Sequence, residues 1–335
     1  MRALVLRAAG QMGLAELPDP VPEPGGLVIR VMAAAICGTD MRIFNGVKTR
    51  GVRFPSVLGH EFSGVVWATG SGTPWREGQR VTICPALACC ACGPCRSGAS
   101  NICERLTAFG YECDGGFAEF VNVPAAFVER GHVVPIPDGT RFEEAALAEP
   151  LACVINGQTL MGLEPGMHVA VLGAGPIGLL HVMLARARGA GRITVVQRSP
   201  ARRAAALDLG ADAALSASEA EQLRVDAAIV AVGSADLANL AARIVRPRGG
   251  INLFAGFPAG EFPRFDLNAI HYCEHRVTGA FGLTLAQFRE SLQLMASGQV
   301  PAGRLVSHRF PLDQAMDGFA AAARGEAIKT VIVSL

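Results

Sequence analysis

Two textures divide the chain. From Met1 to about Leu147, short apolar or alternating runs such as Leu27–Val31, Phe62–Ala68 and Ala118–Val123 are punctuated by glycine and proline. Runs of that length between turn residues predict a β-rich, barrel-like domain. Pro18, Pro20, Pro22 and Pro24 make a stiff loop between the first strands, and the alternating Met1–Arg7 reads as a strand, not a leader peptide. From about Leu151 to Leu283 the pattern becomes strand–helix alternation. Strands are predicted at His168–Leu172, Arg192–Val196, Ala227–Val232, Ile251–Phe254 and Val277–Ala280. Helices are predicted at Pro176–Arg188, Ala201–Leu209, Leu237–Val245 and Leu285–Ala296. Such alternation implies a parallel sheet covered on both faces. The run Lys329–Ser334 looks like a closing strand. The fold class is α/β: a β-rich domain plus a doubly wound parallel-sheet domain.

Composition narrows the picture. A chain of 335 residues suggests two domains, and its hydrophobic content of 50% is enough for two cores. Thirty basic and twenty-nine acidic side chains nearly balance and are scattered, which argues against nucleic acid or an anionic membrane surface as partner. No apolar run reaches the length of a membrane span. Ten cysteines without an export signal point to a reducing cytoplasm and to thiols used for metal.

Four of those cysteines carry the strongest signal. Cys89, Cys92, Cys95 and Cys103 lie within fifteen residues, with Gly93-Pro94 supplying a tight turn between them. Four thiolates close a tetrahedron around zinc and leave no position for substrate, so this site is structural. A looser set lies in the same half: Cys37 in Cys37-Gly38-Thr39-Asp40, His60 and Glu61 after Gly59, and Glu149 before Pro150. A thiolate, an imidazole and a carboxylate leave one coordination position open, which is the pattern of a catalytic zinc. A third signal follows the strand His168–Leu172. Gly173-Ala174-Gly175-Pro176-Ile177-Gly178 leaves that strand and opens an apolar helix, as a dinucleotide-binding turn must. Gly173 allows the turn, Gly175 lets the backbone approach a pyrophosphate, and Gly178 lets helix and strand pack closely.

Together these motifs, with Asp114-Gly115-Gly116-Phe117-Ala118-Glu119 and Glu149-Pro150-Leu151, resemble the zinc-containing medium-chain alcohol dehydrogenase family over essentially the whole chain. Within it the chain looks most like the polyol branch of sorbitol and threonine dehydrogenases, which carry Glu-Pro-Leu where ethanol-type enzymes carry a cysteine. The resemblance implies a GroES-like catalytic domain at residues 1–150, completed by about 285–335, and a Rossmann domain at 151–284. It implies two zinc ions per chain, NADP or NAD, a small alcohol or polyol as substrate, and a homodimer or homotetramer formed by pairing cofactor-domain sheets. Zinc held by Cys37, His60 and Glu149 or Glu61 would activate the substrate hydroxyl. Thr39 matches the hydroxyl that accepts its proton, and Asp40 orients the loop or a ligand.

Cofactor choice is read at the end of the second cofactor-domain strand. NAD-binding folds place a carboxylate there for the ribose. This chain has Gln197, followed by Arg198, Arg202 and Arg203, which suits a 2′-phosphate and favours NADP. Val232, the last residue of the predicted strand Ala227–Val232, is a further candidate cofactor contact. Two departures stand out. Many relatives carry a proton-relaying histidine where this chain has Arg42, which stays protonated. Arg42 therefore becomes a candidate cofactor contact, with the proton leaving through water or Glu149. An Arg-Tyr pair that holds the polyol in sorbitol-type enzymes is replaced by Gly282-Leu283, which counts against sorbitol itself. Phe44, Phe120 and Phe281 are candidate pocket walls. The leading expectation is oxidation of a secondary alcohol on a polyol, sugar, cyclitol or amino-alcohol. The alternatives are an NADPH-dependent ketone reductase of a biosynthetic pathway and a non-catalytic zinc- and dinucleotide-binding protein.

Overall fold

A computed structural model describes residues 1–334. The chain forms two compact units. One holds Met1–Glu149, Leu283–Ser297 and the segment from Ala302 onward; the other holds Pro150–Gly282 and Gly298–Pro301.

The first unit is built round the strand Leu27–Ala35, buried along nearly its whole length. It pairs antiparallel with Glu61–Thr69, with Phe120–Val123 and with Lys329–Val333. Arg80–Ile83 and Val133–Pro135 extend the sheet on one side, and Val306–Pro311 runs parallel to Lys329–Val333 on the other. A small sheet of Gln11–Glu16, Arg2–Ala8 and Ser56–Val57 lies apart from it. The core is aromatic: Phe62, Phe109, Phe117 and Phe127 are fully buried, and Phe109 sits 5.5 Å from Phe62 and 4.6 Å from Phe127 between ring centroids. Each such ring removed from water contributes roughly 1.5–3 kcal/mol.

Register is what positions chemistry in this unit. Ala35, the last residue of the central strand, lies opposite Glu61 on one side and Val331 on the other. Cys37 follows two residues later, His60 precedes Glu61, and Lys329 is two residues before Val331. Three distant stretches of chain are thus brought to one point by strand pairing alone.

The second unit is a six-stranded, all-parallel sheet in the order Ala213–Leu215, Arg192–Val196, His168–Leu172, Val225–Val230, Val245–Leu253, Arg276–Gly279. The strands Arg192–Val196, His168–Leu172 and Val225–Val230 hold mostly apolar, buried runs, as sheets covered on both faces require. Strand order reverses between His168–Leu172 and Val225–Val230, and ligands bind beyond the carboxyl ends of the strands at such a point. The strand Val225–Val230 stops short of Val232, which was expected on it and lies in the loop beyond. Ala213–Leu215 is a strand that the residue pattern did not announce. No helix of the described residues is long and apolar enough to cross a membrane.

Candidate metal and dinucleotide sites

Cys37 caps the helix Gly38–Phe44. Its sulfur accepts from the Thr39 amide at 3.4 Å, while its own amide donates to Asp40 Oδ2 at 2.9 Å. Asp40 is completely buried, and its other oxygen lies 3.5 Å from Nδ1 of His60. A carboxylate against one ring nitrogen orients the imidazole and raises the basicity of the other, the usual support of a histidine ligand. Ligand atoms of Cys37, His60 and Glu61 all lie within 4.8 Å of one another. Metal–ligand bonds of about 2.0–2.3 Å let one zinc ion reach all three. His60 Nδ1 and Asp40 Oδ1 are buried with no partner closer than each other, so the contact between them fixes the ring and leaves Nε2 as the ligand atom. The residues therefore fit the metal. Glu149 stands in the first turn of the helix Ala148–Met161 and is not within that 4.8 Å group, though its charge acts on Tyr111 and Lys329.

Two residues of this centre escaped the sequence reading. Lys329 is 5% exposed, and its ammonium meets both oxygens of the buried Glu61, at 2.9 and 2.6 Å. Burial works against the ammonium, but the charges of Glu61 and Cys37 outweigh it and hold Lys329 above its ordinary value. A lysine opening an otherwise apolar strand was the available signal, because lysine is almost never fully buried unless paired. Tyr111 is the second. Its ring lies 5.6 Å from the His60 ring, and burial pushes its phenol up out of the physiological range. Of the candidate aromatic walls, Phe44 packs edge-on against Phe319 and Phe120 lies tilted against Trp67, 5.4 Å between centroids, while Phe281 is exposed.

The four-cysteine cluster forms as spaced. Sulfur atoms of Cys89, Cys92, Cys95 and Cys103 lie within 4.8 Å of one another, with Cys92 at 3.3 Å from Cys95 and 3.8 Å from Cys103. All are free thiols. Main-chain amides converge on them: Cys89 N and Arg105 N donate to Cys103, and Ala91 N donates to Cys89, at 3.2, 3.3 and 3.5 Å. The Ala91 and Cys92 amides draw the Cys89 thiol down to about 5. Donors aimed at sulfur favour the thiolate that zinc requires. Cys90 is exposed, in a left-handed conformation, and outside the cluster.

In the second unit the glycine turn meets its steric demands. Gly173 has φ +104°, and a Cβ there would also press on Val232 at 3.0 Å. A Cβ on Gly178 would lie 1.9 Å from the Gly173 carbonyl oxygen, so helix and strand touch only because it is glycine. A Cβ on Gly175 would meet nothing within 4 Å, the open approach a pyrophosphate needs. The helix Pro176–Ala187 follows with no side chain capping its amino end, so its first amides, beginning beyond Pro176 at Ile177, remain available to an anion. Gln197 follows the strand Arg192–Val196, and its side-chain oxygen accepts from the Arg198 amide at 2.7 Å. Arg202 reaches the Ala174 carbonyl at 3.4 Å, placing a guanidinium beside the glycine turn, and burial lowers its pKa. Arg203 is tied to the carbonyls of Gln197 and Arg198 at 2.9 and 3.1 Å. Arg42 is exposed on the first unit, and its carbonyl accepts from the amides of Val47 and Lys48.

Known proteins were compared with the chain. The family model for the alcohol dehydrogenase GroES-like domain matches residues 23–138, and that for zinc-binding dehydrogenase matches 176–297. The chain is 36% identical to a D-altritol 5-dehydrogenase from Agrobacterium fabrum, covering 95% of each. It is 32% identical to an L-galactonate-5-dehydrogenase from Escherichia coli, covering 93% of this chain and 92% of the other. A structure described as a zinc-binding dehydrogenase from Sinorhizobium meliloti, bound to NADP, superimposes with a TM-score of 0.93 at 32% identity over 99% of each chain.

Proposed function

Because the chain belongs to the zinc-binding medium-chain alcohol dehydrogenases, polyol branch, we propose that it moves a hydride between a secondary alcohol of a polyhydroxy substrate and a nicotinamide dinucleotide, with NADP preferred. The observation that carries this reading is the convergence of Cys37, His60 and Glu61 within 4.8 Å. Zinc held there supplies Lewis-acid activation of an alcohol oxygen. Cys37 and His60 serve as ligands, with Glu61 or Glu149 as the carboxylate. Asp40 fixes the His60 ring. The Thr39 hydroxyl takes the alcohol proton, and Arg42, permanently charged, leaves its exit to water or Glu149. Cys89, Cys92, Cys95 and Cys103 hold the structural ion. Gly173, Gly175, Pro176, Ile177, Gly178 and Val232 receive the dinucleotide. The absence of a carboxylate at Gln197, with Arg198 beside it and Arg202 at the turn, supports NADP. That pool is usually held reduced, which also favours the reductive direction. The relatives' names, a sugar-alcohol and a sugar-acid dehydrogenase, support a polyhydroxy substrate. The protein is assigned to the cytoplasm on its thiol chemistry, as a homodimer or homotetramer.

Initial rates of nicotinamide reduction on polyols, cyclitols, sugar acids and threonine, each with NAD and NADP, test the reading. Turnover of a secondary alcohol, abolished in Cys37→Ala with dinucleotide affinity retained, is expected; undiminished turnover in that variant defeats the site assignment. Arg202→Ala and Arg198→Ala should raise KM for NADP about 10–100-fold, as loss of a charge-assisted hydrogen bond does, and leave NAD nearly unchanged. Equal losses for both cofactors would remove the 2′-phosphate role.

A further inference from the structure

Beside the candidate metal centre, and wholly within the first unit, lies a cationic cluster that no step of hydride transfer uses. The Lys48 ammonium sits 4.8 Å from the centroid of the Tyr111 ring, whose other neighbour is the His60 ring at 5.6 Å. Among the described residues that ammonium makes one long hydrogen bond, 3.4 Å to the Arg50 carbonyl. Burial lowers the Lys48 pKa; Glu112 opposes this, while Arg42 and Arg50 add to it. The one carboxylate acting on Lys48, Glu112, is itself tied to the Ala108 amide at 3.0 Å. Among the groups acting on the Lys48 ammonium, Arg42 and Arg50 stand against the single committed carboxylate of Glu112, so the field at that ammonium is positive. A neutral polyol gains little from such a field, whereas an anionic group gains a charge-assisted hydrogen bond to a lysine already positioned by an aromatic face.

We propose that the substrate carries an anionic terminus, a carboxylate or a phosphate monoester, on the same carbon chain as the reacting hydroxyl, and that Lys48 reads it over the Tyr111 ring. This rests on the dehydrogenase reading given above. The ring-to-ring and ring-to-ammonium steps put Lys48 about 10 Å or less from the His60 imidazole. Once about 3 Å is allowed for contacts at each end, at most about 4 Å remains, the span of roughly two to four carbons between the reacting hydroxyl and the anionic group.

The experiment compares wild-type, Lys48→Met and Lys48→Arg zinc-loaded enzyme in two ways. Calorimetric binding to the dinucleotide-saturated protein uses D-gluconate, sorbitol 6-phosphate and sorbitol as probes, and steady-state kinetics uses acidic, phosphorylated and neutral polyols. Anionic probes should bind wild type more tightly than sorbitol. Lys48→Met should weaken them about 10–100-fold with kcat little changed, and Lys48→Arg should recover most of the loss. Gluconate and the phosphate ester, run separately, decide which anion is read. Anions binding no better than sorbitol, equal losses for neutral and anionic ligands, or a loss confined to dinucleotide affinity would each overturn the proposal. Failure of every alcohol to turn over in the wild type would instead defeat the dehydrogenase reading, and the binding arm would still decide the role of Lys48.

Discussion

Glu61 and Lys329 are 1% and 5% exposed, and each is the other's compensation for leaving water. Removing one partner of such a pair strands a charge in a low-dielectric interior, which typically costs about 3–5 kcal/mol. Lys329→Met should therefore lower unfolding stability by that order, and Glu61→Gln in the same chain should restore much of it. Denaturant titration of the single and double variants measures the coupling; equal losses in both would mean that the ion pair is incidental. The proposed ligands Cys37, His60 and Glu61 were legible because each sits in a short, chemically distinctive string. Lys329 was not, because its partner lies 268 positions away and strand register, which no local pattern encodes, joins them. Tyr111 was missed for a related reason: its value comes from the His60 and Lys48 groups packed on its two sides.

Helix Pro176–Ala187 shows how an element can carry a pH dependence of its own. His181 on its inner face is completely buried, packed edge-on to Phe254 at 4.6 Å, with Gln158 Nε2 at 3.4 Å from its ring nitrogen. Burial drives its pKa down to about 3, and Arg188 adds to the effect. The unfolded chain, near 6.5, takes up the proton first. The stabilisation is therefore complete above about pH 6.5 and is lost as pH falls towards 3. At pH 4 the loss is on the order of 3 kcal/mol. His181→Leu should flatten the stability profile between pH 7 and 4 by about that amount relative to wild type; an unchanged slope would assign the acid sensitivity to carboxylates. Legibility at this scale followed local composition. The strands His168–Leu172 and Arg192–Val196 and the helix Leu285–Ala296 fall where the apolar pattern placed them. Ala213–Leu215 was invisible because three small residues carry no strand signature, and Val245–Leu253 begins well before Ile251 because Pro247 and Gly249 read as breakers although a register irregularity absorbs them.

At the scale of the whole chain, the second unit's sheet ends in Arg276–Gly279, an edge strand with exposed residues flanking Val277, itself 37% exposed. An open edge with unpaired amides and carbonyls is a template for a second copy. For the proposed homo-oligomer paired on this edge, Val277→Lys should lower the mass in light scattering while preserving dinucleotide binding; an unaltered mass would exclude this edge as the interface.

The two metal centres also differ in how soon a growing chain can complete them. The cysteine cluster spans residues 89 to 103, and its amide donors extend only to Arg105, so it is whole once that short stretch has emerged. The other centre needs Lys329 to neutralise Glu61, and the strand that carries it is the last in the chain. Contacts of such sequence separation form late. Synthesis from the amino terminus thus completes the proposed cysteine site early and leaves the other waiting for the strand Lys329–Val333, which gives metal loading at the two proposed sites an order in time.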